Sequence, residues 1–302
     1  MVKNLVLENI SVGFKLPQGV FYAVDDVSLS LPGGNFTAII GESGCGKSVL
    51  GQAILNILPS GVIKKGRVLY NGEQVEKILS AFGIIPQNPS ESLNPVRKIG
   101  KQMQDILVVH NIADSDNSYK KQCLHLFGLQ EADRVLTAYP HELSGGMLQR
   151  VLCAMAVSSK PEWILADEPT KGLDEQVGAV VRKNLLTIKQ DLHLSMLIIT
   201  HDIALAQEVC DDVLVMYAGQ VLEHNADIWH KPLHPYTKGF LQALPKNGLQ
   251  VIPGKAPVPG ESFAGCKFAE RCHYCTTRCK EEKPAMQQVG NAEVRCFLYA
   301  EG

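Results

Sequence analysis

Short apolar runs alternate with longer amphipathic stretches over about the first 230 residues of the chain. The apolar runs are rich in Val, Ile and Leu, as is typical of strands buried on both faces of a sheet. These predicted strands span residues 36–40, 163–166, 196–200 and 213–217. The predicted helices span residues 47–58, 147–158, 175–190 and 203–210. Strands that alternate with helices predict an α/β fold with a layered core.

Two regions depart from this alternation. Residues from about 89 to 142 have helical patterns and no clear strand, so we predict a helical subdomain at about 89–158. After about residue 225 prolines recur, which argues against long helices there. They are Pro232, Pro235, Pro245, Pro253, Pro257 and Pro259. We therefore predict a main domain over residues 1–230 and a separate C-terminal extension over 231–302.

Composition and charge narrow the possible functions. The chain has 302 residues, and its 29 basic and 31 acidic residues give a net charge of −2, so no overall charge attracts it to nucleic acid. The longest unbroken apolar run, residues 151–157, is far shorter than the roughly 20 residues of a membrane span. The N-terminus has no signal-peptide pattern. These features argue against a secreted or integral membrane protein, but they allow docking on a membrane partner.

The strongest local signal follows the predicted strand 36–40. It reads Gly41-Glu42-Ser43-Gly44-Cys45-Gly46-Lys47-Ser48 and fits the spacing G-x-x-x-x-G-K-S in full. Glycines let backbone N–H groups point at phosphate oxygens, and the next helix presents its positive N-terminus to the same anion. Lys47 adds a full charge, and Ser48 offers a hydroxyl to Mg²⁺. The alternative, an accidental Gly-rich turn, does not explain the strand and helix that flank the motif.

A pair of carboxylates ends the predicted strand 163–166. Asp167 can hold Mg²⁺ directly or through water, and Glu168 can orient and polarise an attacking water. Such a pair is by itself more often a solvated one. Carboxyl ends of central strands lie near the ligand site in open α/β sheets, so the phosphate loop favours the functional interpretation.

The run Leu143-Ser144-Gly145-Gly146-Met147 resembles the signature motif of ABC ATPases, with Met147 in place of the usual Gln. Other motifs of that family follow in order. Gln87 is similar to the Q-loop glutamine, Asp174 to the D-loop aspartate and His201 to the switch histidine. The resemblance covers about residues 1–230 and implies a P-loop NTPase fold of the ABC ATPase type.

The resemblance implies that ATP and Mg²⁺ bind between two such domains arranged head to tail. Each ATP then contacts the phosphate loop of one chain and Ser144, Gly145 and Gly146 of the other. It also implies that His201 contacts the γ-phosphate and that Gln87 senses Mg²⁺ and the membrane partner. An aromatic side chain stacks on adenine in this family. Phe14 matches that position best and Tyr22 is the alternative, although either could be an ordinary core aromatic.

The extension contains a further resemblance. Its runs His234-Pro235-Tyr236-Thr237, Ile252-Pro253-Gly254 and Gly265-Cys266-Lys267-Phe268, followed by Arg271-Cys272, resemble the C-terminal extension of oligopeptide, dipeptide and nickel importer ATPases. Four cysteines occupy the family positions, namely Cys266, Cys272, Cys279 and Cys296, and Cys275 is an extra thiol.

Four thiolates in a small extension can bind a metal ion or cluster that staples the segment. The resemblance favours a [4Fe–4S] cluster. Zinc and thiols that are free or disulfide-linked stay open as alternatives, because ligand spacing alone discriminates weakly.

The resemblance implies an ATP hydrolase that drives import of oligopeptides or dipeptides. Its expected partners are two transmembrane permease subunits, a second ATP-binding subunit in a heterodimer, and an extracytoplasmic substrate-binding protein, at the cytoplasmic face of the membrane. Import of nickel or a metal chelate is the main alternative. A soluble ABC ATPase of repair or translation and a redox-sensing module that barely hydrolyses ATP are less favoured, because long coiled-coil inserts are absent and Glu168 is present.

Overall fold

The computed structural model describes residues 3–17, 19–74, 78–245, 248–258, 261 and 263–300. The chain forms two compact units. One, here the carboxylate unit, comprises Met1–Lys3, Pro32–Phe36 and Glu76–Val209; the other, here the loop unit, comprises Asn4–Leu31, Thr37–Val75 and Cys210–Gly302. In the part of the chain that the structure describes, no helix combines the length and apolarity needed to cross a membrane.

The loop unit contains an antiparallel sheet. Its strands are β1 (Leu5–Leu16), β2 (Gly19–Leu31), β4 (Ile63–Tyr70) and β5 (Glu73–Gln74), in the order β2-β1-β4-β5. Strand β1 pairs with β2 from Leu5↔Leu31 to Leu16↔Gly19. Buried apolar residues alternate with more exposed ones along β1, so this sheet buries one face, as antiparallel sheets commonly do.

The loop unit contains a second set of strands, the first of which leads into the phosphate loop. They are β3 (Phe36–Ile40), β9 (Asp212–Tyr217), β10 (Gln220–His224), β11 (Gln287–Val289) and β12 (Ala292–Val294). Strand β3 is parallel to β9, whereas β9, β10, β12 and β11 follow one another with antiparallel pairing. The predicted strands 36–40 and 213–217 are confirmed almost to the residue.

Helix α1 (Lys47–Leu55) follows β3 and ends three residues before the predicted end. Asn56 takes a left-handed conformation with φ 57°, and its N–H bonds to the carbonyl of Ala53. This residue closes the helix, because Asn tolerates the left-handed region better than most residues.

The predicted extension contributes α9 (Pro235–Gln242), α10 (Thr277–Glu281), β11 and β12 to the loop unit. Strand β12 pairs with β10 through Glu223↔Val294, so the extension continues the strands of the preceding segment. The predicted boundary near residue 230 therefore lies inside this unit, and as a domain limit it stays a prediction.

The carboxylate unit has three parallel strands, β6 (Phe82–Ile85), β7 (Trp163–Asp167) and β8 (Ser195–Ile199), in the order β8-β7-β6. Helices lie between β6 and β7 and after β7. They are α2 (Pro89–Ser92), α3 (Ile99–Val109), α4 (Ser118–Leu126), α5 (Ala132–Thr137), α6 (Gly145–Ser158), α7 (Glu175–Thr187) and α8 (Ile203–Val209). The α-helical part of α7 ends at Thr187, three residues before the predicted end at residue 190. A π-helical turn follows over Ile188–Leu192.

Candidate nucleotide-binding site

The phosphate loop depends on glycine at two positions where other backbone comes close. A Cβ on Gly41 would lie 2.1 Å from the carbonyl oxygen of Met216, and a Cβ on Gly46 would lie 2.1 Å from that of Ala23. Both glycines also have positive φ, 148° and 105°. Any side chain at these positions would collide with backbone, so the loop can curl this tightly only with glycine.

Lys47 lies at the centre of this loop. Its Nζ donates to the carbonyl of Gly41 at 2.9 Å and to that of Glu42 at 3.0 Å, and the residue is buried. The Nζ also lies 3.8 Å from the Sγ of Cys45, whose thiol pKa is raised by burial. The loop thus encloses a full positive charge at the start of α1, where the helix dipole is also positive. Ser48, which follows Lys47, is partly buried.

The outer part of the loop is open. Ser43 and Gly44 are exposed, and Gly44 borders a cavity of about 380 Å³ within the loop unit. Residues from β2, from the turn between β9 and β10 and from the extension also line this cavity, among them Phe21, Tyr22, Gly219, Phe263 and Lys267. Phe14 is not among the described lining residues. The cavity therefore favours Tyr22, the alternative aromatic, and the choice between them stays a prediction.

Two predicted catalytic residues meet in the carboxylate unit. The carboxylate Oε2 of Glu168 lies 2.6 Å from Nδ1 of His201 and accepts the His201 backbone N–H at 3.3 Å. Asp167 ends β7, and the next residue, Glu168, has φ 48° and donates its N–H to the carbonyl of Ile199 at 2.7 Å. The positive φ changes the direction of the chain at the strand end, so that the nearly buried Glu168 carboxylate faces His201, two residues after the end of β8.

This arrangement suits a proton acceptor. In the Nδ1–H tautomer, His201 donates to Glu168 from both its ring and its backbone. Two donors to one oxygen hold the carboxylate in a single orientation. The other ring nitrogen belongs to a side chain that is 58% exposed. The pair can therefore orient a water and contact an anion at the same time.

The signature run forms the start of α6. Ser144 is the N-cap, and its Oγ accepts the N–H of Met147 at 3.3 Å. Ser144 and Gly145 are exposed, and a Cβ added to Gly145 would have no neighbour within 4 Å among the described residues. Helix starts leave backbone N–H groups without intrahelical partners, so this surface can bind an anion. Gly146, one residue further, is partly buried.

Asp174 has a structural role in this unit. It is the N-cap of α7, and its Oδ1 accepts the N–H of Val177 at 2.9 Å. This capping gives the aspartate a structural role, and its predicted part in nucleotide binding stays a prediction.

Gln87 is exposed and lies just after β6. An open groove of about 280 Å³ lies beside this turn. Its apolar lining includes Phe82, Ile84, Pro86, Leu93, Ile106 and Met155. Ile84 is 39% exposed, which places an apolar side chain at the surface next to Gln87.

The tail cysteines are neighbours without forming a metal site. The pKa of Cys266 is raised to about 11, first by burial and then by the nearby thiols of Cys296, Cys279 and Cys272. All five tail cysteines are described, yet nowhere in the described chain do three or more His, Cys, Asp or Glu side chains form a group that could hold a metal ion. The predicted [4Fe–4S] or zinc site therefore has no support here, because thiols must converge on one point to coordinate a metal.

Sequence reasoning missed residues of the extension that contact the phosphate loop. Arg271 forms an ion pair with Glu42, and the hydroxyl of Tyr236 accepts the Glu42 backbone N–H. Both residues lie in the runs singled out for their resemblance, but those runs do not indicate what their side chains touch.

These features define an ATPase of the ABC class, and comparison with known families agrees. Residues 24–171 match the family described as ABC transporter. Residues 222–279 match the family described as the oligopeptide/dipeptide transporter, C-terminal region. The chain belongs to the ABC transporter family, in the branch of oligopeptide and dipeptide transport ATP-binding proteins.

Individual relatives are similar over nearly their whole length. The oligopeptide transport ATP-binding protein OppD of Haemophilus influenzae is 34% identical, with 98% of each chain covered. The dipeptide transport ATP-binding protein DppD of Escherichia coli is 35% identical, covering 95% of this chain and 94% of that protein. AppD of Bacillus subtilis, an oligopeptide transport ATP-binding protein, is 34% identical over 98% of this chain and 97% of its own.

Solved structures agree on the fold. The dimeric ATP-binding cassette MJ0796, in a post-hydrolysis state with ADP and Pi, has a TM-score of 0.62 at 24% identity and covers 73% of this chain and 97% of its own. CbiO1 of Clostridium perfringens, part of the transporter complex cbiONQ, has a TM-score of 0.61 at 25% identity, covering 74% of this chain and 89% of its own.

Proposed function

We propose that this chain binds and hydrolyses ATP as the ATP-binding subunit of a membrane importer for oligopeptides or dipeptides. The observation that carries the proposal is the glycine loop curled around the Lys47 ammonium, in a chain similar over 98% of its length to an oligopeptide transport ATP-binding protein. A preformed cationic loop at a helix start is suited to a nucleoside triphosphate.

Each part of the loop has a role in this proposal. Backbone N–H groups of the loop bind the phosphates, and Lys47 neutralises the charge that develops between the β- and γ-phosphates. The residues that supply the N–H groups are Gly41, Ser43, Gly44, Cys45 and Gly46. Ser48, Gln87 and Asp167 are the residues that would hold Mg²⁺, which when bound neutralises phosphate charge. A stacking aromatic from β2, Tyr22, or from β1, Phe14, binds the adenine.

Hydrolysis would depend on the pair in the carboxylate unit. Glu168 accepts a proton from the attacking water as the water approaches the γ-phosphate. His201 keeps that carboxylate oriented through its two contacts and presents its exposed ring to the phosphate. Fixing the acceptor in advance lowers the cost of ordering it during the reaction.

A second ATP-binding subunit would complete each ATP site. Ser144 and Gly145 lie at an exposed helix start, and a Cβ added at Gly145 would have no described neighbour within 4 Å. Backbone donors exposed in this way suit a phosphate brought by another chain. We propose a heterodimer of related subunits, in which this surface caps the partner's ATP.

The membrane partners would be two permease subunits, supplied with peptide by an extracytoplasmic binding protein. The open apolar groove beside Gln87 supports docking of a permease segment. Exposed apolar surface next to a nucleotide-sensing residue can couple permease docking to nucleotide binding. The subunit would thus act at the cytoplasmic face of the membrane, without contact to nucleic acid.

Reconstitution tests this function. The chain is combined with its permease subunits and second ATPase in proteoliposomes, and ATP hydrolysis and peptide uptake are measured with peptide-loaded binding protein. We expect uptake that requires ATP and that is lost with Ile84→Asp, since a charge in the groove opposes docking. Ile57→Asp, at another exposed apolar position, is the matched control. Uptake that is independent of ATP, or of this chain, would refute the proposal.

Two finer predictions involve metals, and one of them has a direct test. Nickel or a metal chelate as cargo lacks support, because the relatives named above transport oligopeptides or dipeptides by name. Iron, sulfide and zinc analysis of protein purified without air tests the tail cysteines. Four iron and four sulfide ions per chain would establish the [4Fe–4S] prediction, even though the thiols do not converge in this structure. Absence of iron and sulfide would refute it.

A further inference from the structure

An acidic residue lies inside the phosphate loop. Glu42 is the second residue of the loop, and its carbonyl accepts the Nζ of Lys47 at 3.0 Å. Its side chain carries a negative charge that opposes binding of a phosphate by the same loop. Charges this close to a ligand act over a screening length of about 8–10 Å at physiological ionic strength. A loop built to bind an anion therefore needs something to offset Glu42.

The C-terminal extension supplies an opposite charge. Nη1 of Arg271 lies 3.2 Å from Oε1 and 3.3 Å from Oε2 of Glu42. The hydroxyl of Tyr236 also accepts the Glu42 backbone N–H at 3.2 Å. Both the charge and the backbone of this loop residue are thus held by the extension, 229 positions further along the chain in the case of Arg271.

Arg271 is fixed where it meets the loop. Its side chain is only 8% exposed, its Nε donates to the carbonyl of Pro253 at 3.1 Å, and its Nη1 donates to the Tyr217 hydroxyl at 3.2 Å. The guanidinium carbon lies 5.6 Å from the ring centre of Tyr217 and 5.9 Å from that of Phe268. These contacts limit the positions that the guanidinium can take, and burial protects the ion pair from screening by salt.

We propose that Arg271 is a positioning residue of the nucleotide site: it neutralises Glu42 and fixes its place in the phosphate loop, so that the C-terminal extension raises the affinity of the loop for ATP. This inference rests on the proposed binding of ATP. Arg271 acts through Glu42 and does not contact the reacting atoms. Its loss therefore changes the KM for ATP and leaves kcat nearly unchanged.

A charge-rescue experiment tests this proposal. Binding of a fluorescent ATP analogue is measured for the wild-type chain, Arg271→Met, Glu42→Gln and the double variant. We expect Arg271→Met to weaken binding about five- to tenfold, because the Glu42 charge is then uncompensated. The deficit should shrink as salt is raised. Adding Glu42→Gln should restore affinity to about twofold of wild type, whereas a merely structural role of Arg271 predicts no rescue.

The extension offers a matched control. Arg278 pairs with Glu282 at 3.0 Å on its surface, with both side chains more than half exposed. Arg278→Met should leave ATP affinity unchanged. If Arg271→Met does not fold, Glu42→Gln alone decides, and we expect it to bind ATP several times more tightly than wild type.

The failure of this proposal is distinct from failure of the proposed function. A wild-type chain that binds no ATP would overturn the function. A wild-type chain that binds ATP, together with an Arg271→Met variant of equal affinity or a double variant that is not rescued, would overturn only the role of Arg271. Where Glu42→Gln has to decide alone, affinity equal to or weaker than wild type overturns that role.

Discussion

The phosphate loop and the start of α6 are both suited to bind phosphate, but they differ in how far their own chain completes them. In the loop, Lys47 is buried, Gly41 and Gly46 press against backbone, and Glu42 is held from two sides. At the start of α6, Ser144 and Gly145 are exposed. There the Oγ of Ser144 accepts the N–H of Met147 as the helix cap.

This difference indicates which part of the site acts in the isolated chain and which part acts only after assembly with a second subunit. Groups that are buried and paired are organised before a ligand arrives, which lowers the cost of binding. Exposed N–H groups at a helix start can hydrogen-bond to water, so leaving them without a protein partner costs little free energy. They are stabilised most when an anion from another chain binds them. Changes in the loop should therefore act on binding by the isolated chain, and changes at the start of α6 should act only after assembly.

The largest expected effect comes from Lys47→Ala. Losing a charged donor at the centre of the loop should weaken ATP binding roughly a hundredfold or more and bring turnover below detection. Titration with a fluorescent ATP analogue measures this effect. The control is Lys189→Ala, at a lysine outside the nucleotide site. Unchanged affinity in Lys47→Ala would contradict the assignment of the loop.

Glu168→Gln should separate binding from hydrolysis. The amide still fits beside His201 but cannot take up a proton, so we expect turnover to fall by about 10²–10⁴ with ATP affinity nearly unchanged. Single-turnover hydrolysis in the assembled complex measures it. The control is Glu162→Gln, at the partly exposed residue that directly precedes β7. A Glu168→Gln rate near wild type would assign the proton transfer to another group.

Gly145→Asp tests the exposed helix start. An acidic residue in the first turn suits the helix dipole, and a Cβ there has room, so the variant should fold. Its negative charge should repel the partner's ATP and lower turnover of the complex by roughly tenfold, while ATP binding by the isolated chain stays the same. Gly145→Asn, of nearly equal size and without charge, should retain more activity. Equal activity of both variants would argue against a phosphate at this surface.

We expect His234 to affect ATP binding least, because its contribution is to folding stability; it caps α9, the helix that carries Tyr236. His234 is buried and its Nδ1 accepts the Tyr236 N–H at 3.0 Å. Burial, aided by Lys238, lowers its pKa from 6.5 to about 3. The unfolded chain then takes up a proton below about pH 6.5 that the folded chain refuses. Stability is complete above that pH, and about 2 kcal/mol is lost by pH 5.

His234→Asn should remove this loss, because an amide oxygen can still accept the N–H but does not titrate in this range. Chemical denaturation at pH 7 and pH 5 measures the difference. His230→Asn is the control, because that side chain is 80% exposed. The same acid destabilisation in wild type and His234→Asn would refute the role of this histidine.

Much of the site was predictable because its signals are local. The phosphate loop follows a buried strand and precedes a helix, and the amino-acid sequence itself shows this order. The ends of β3 and β9 are also near their predicted positions. The antiparallel sheet of β1, β2 and β4 was not predicted strand by strand. Its pairing depends on contacts between distant segments, which a periodic pattern does not specify.

The sequence by itself determined the chemistry at each position: a glycine loop with its lysine, two carboxylates at a strand end, and a serine–glycine helix start. Each depends on a few neighbouring residues whose backbone preferences are local. Only the tertiary structure decided which groups meet. Glu168 contacts His201 33 positions away and Glu42 contacts Arg271 229 positions away. Such contacts form when separate elements pack together, so no local pattern in the sequence encodes them.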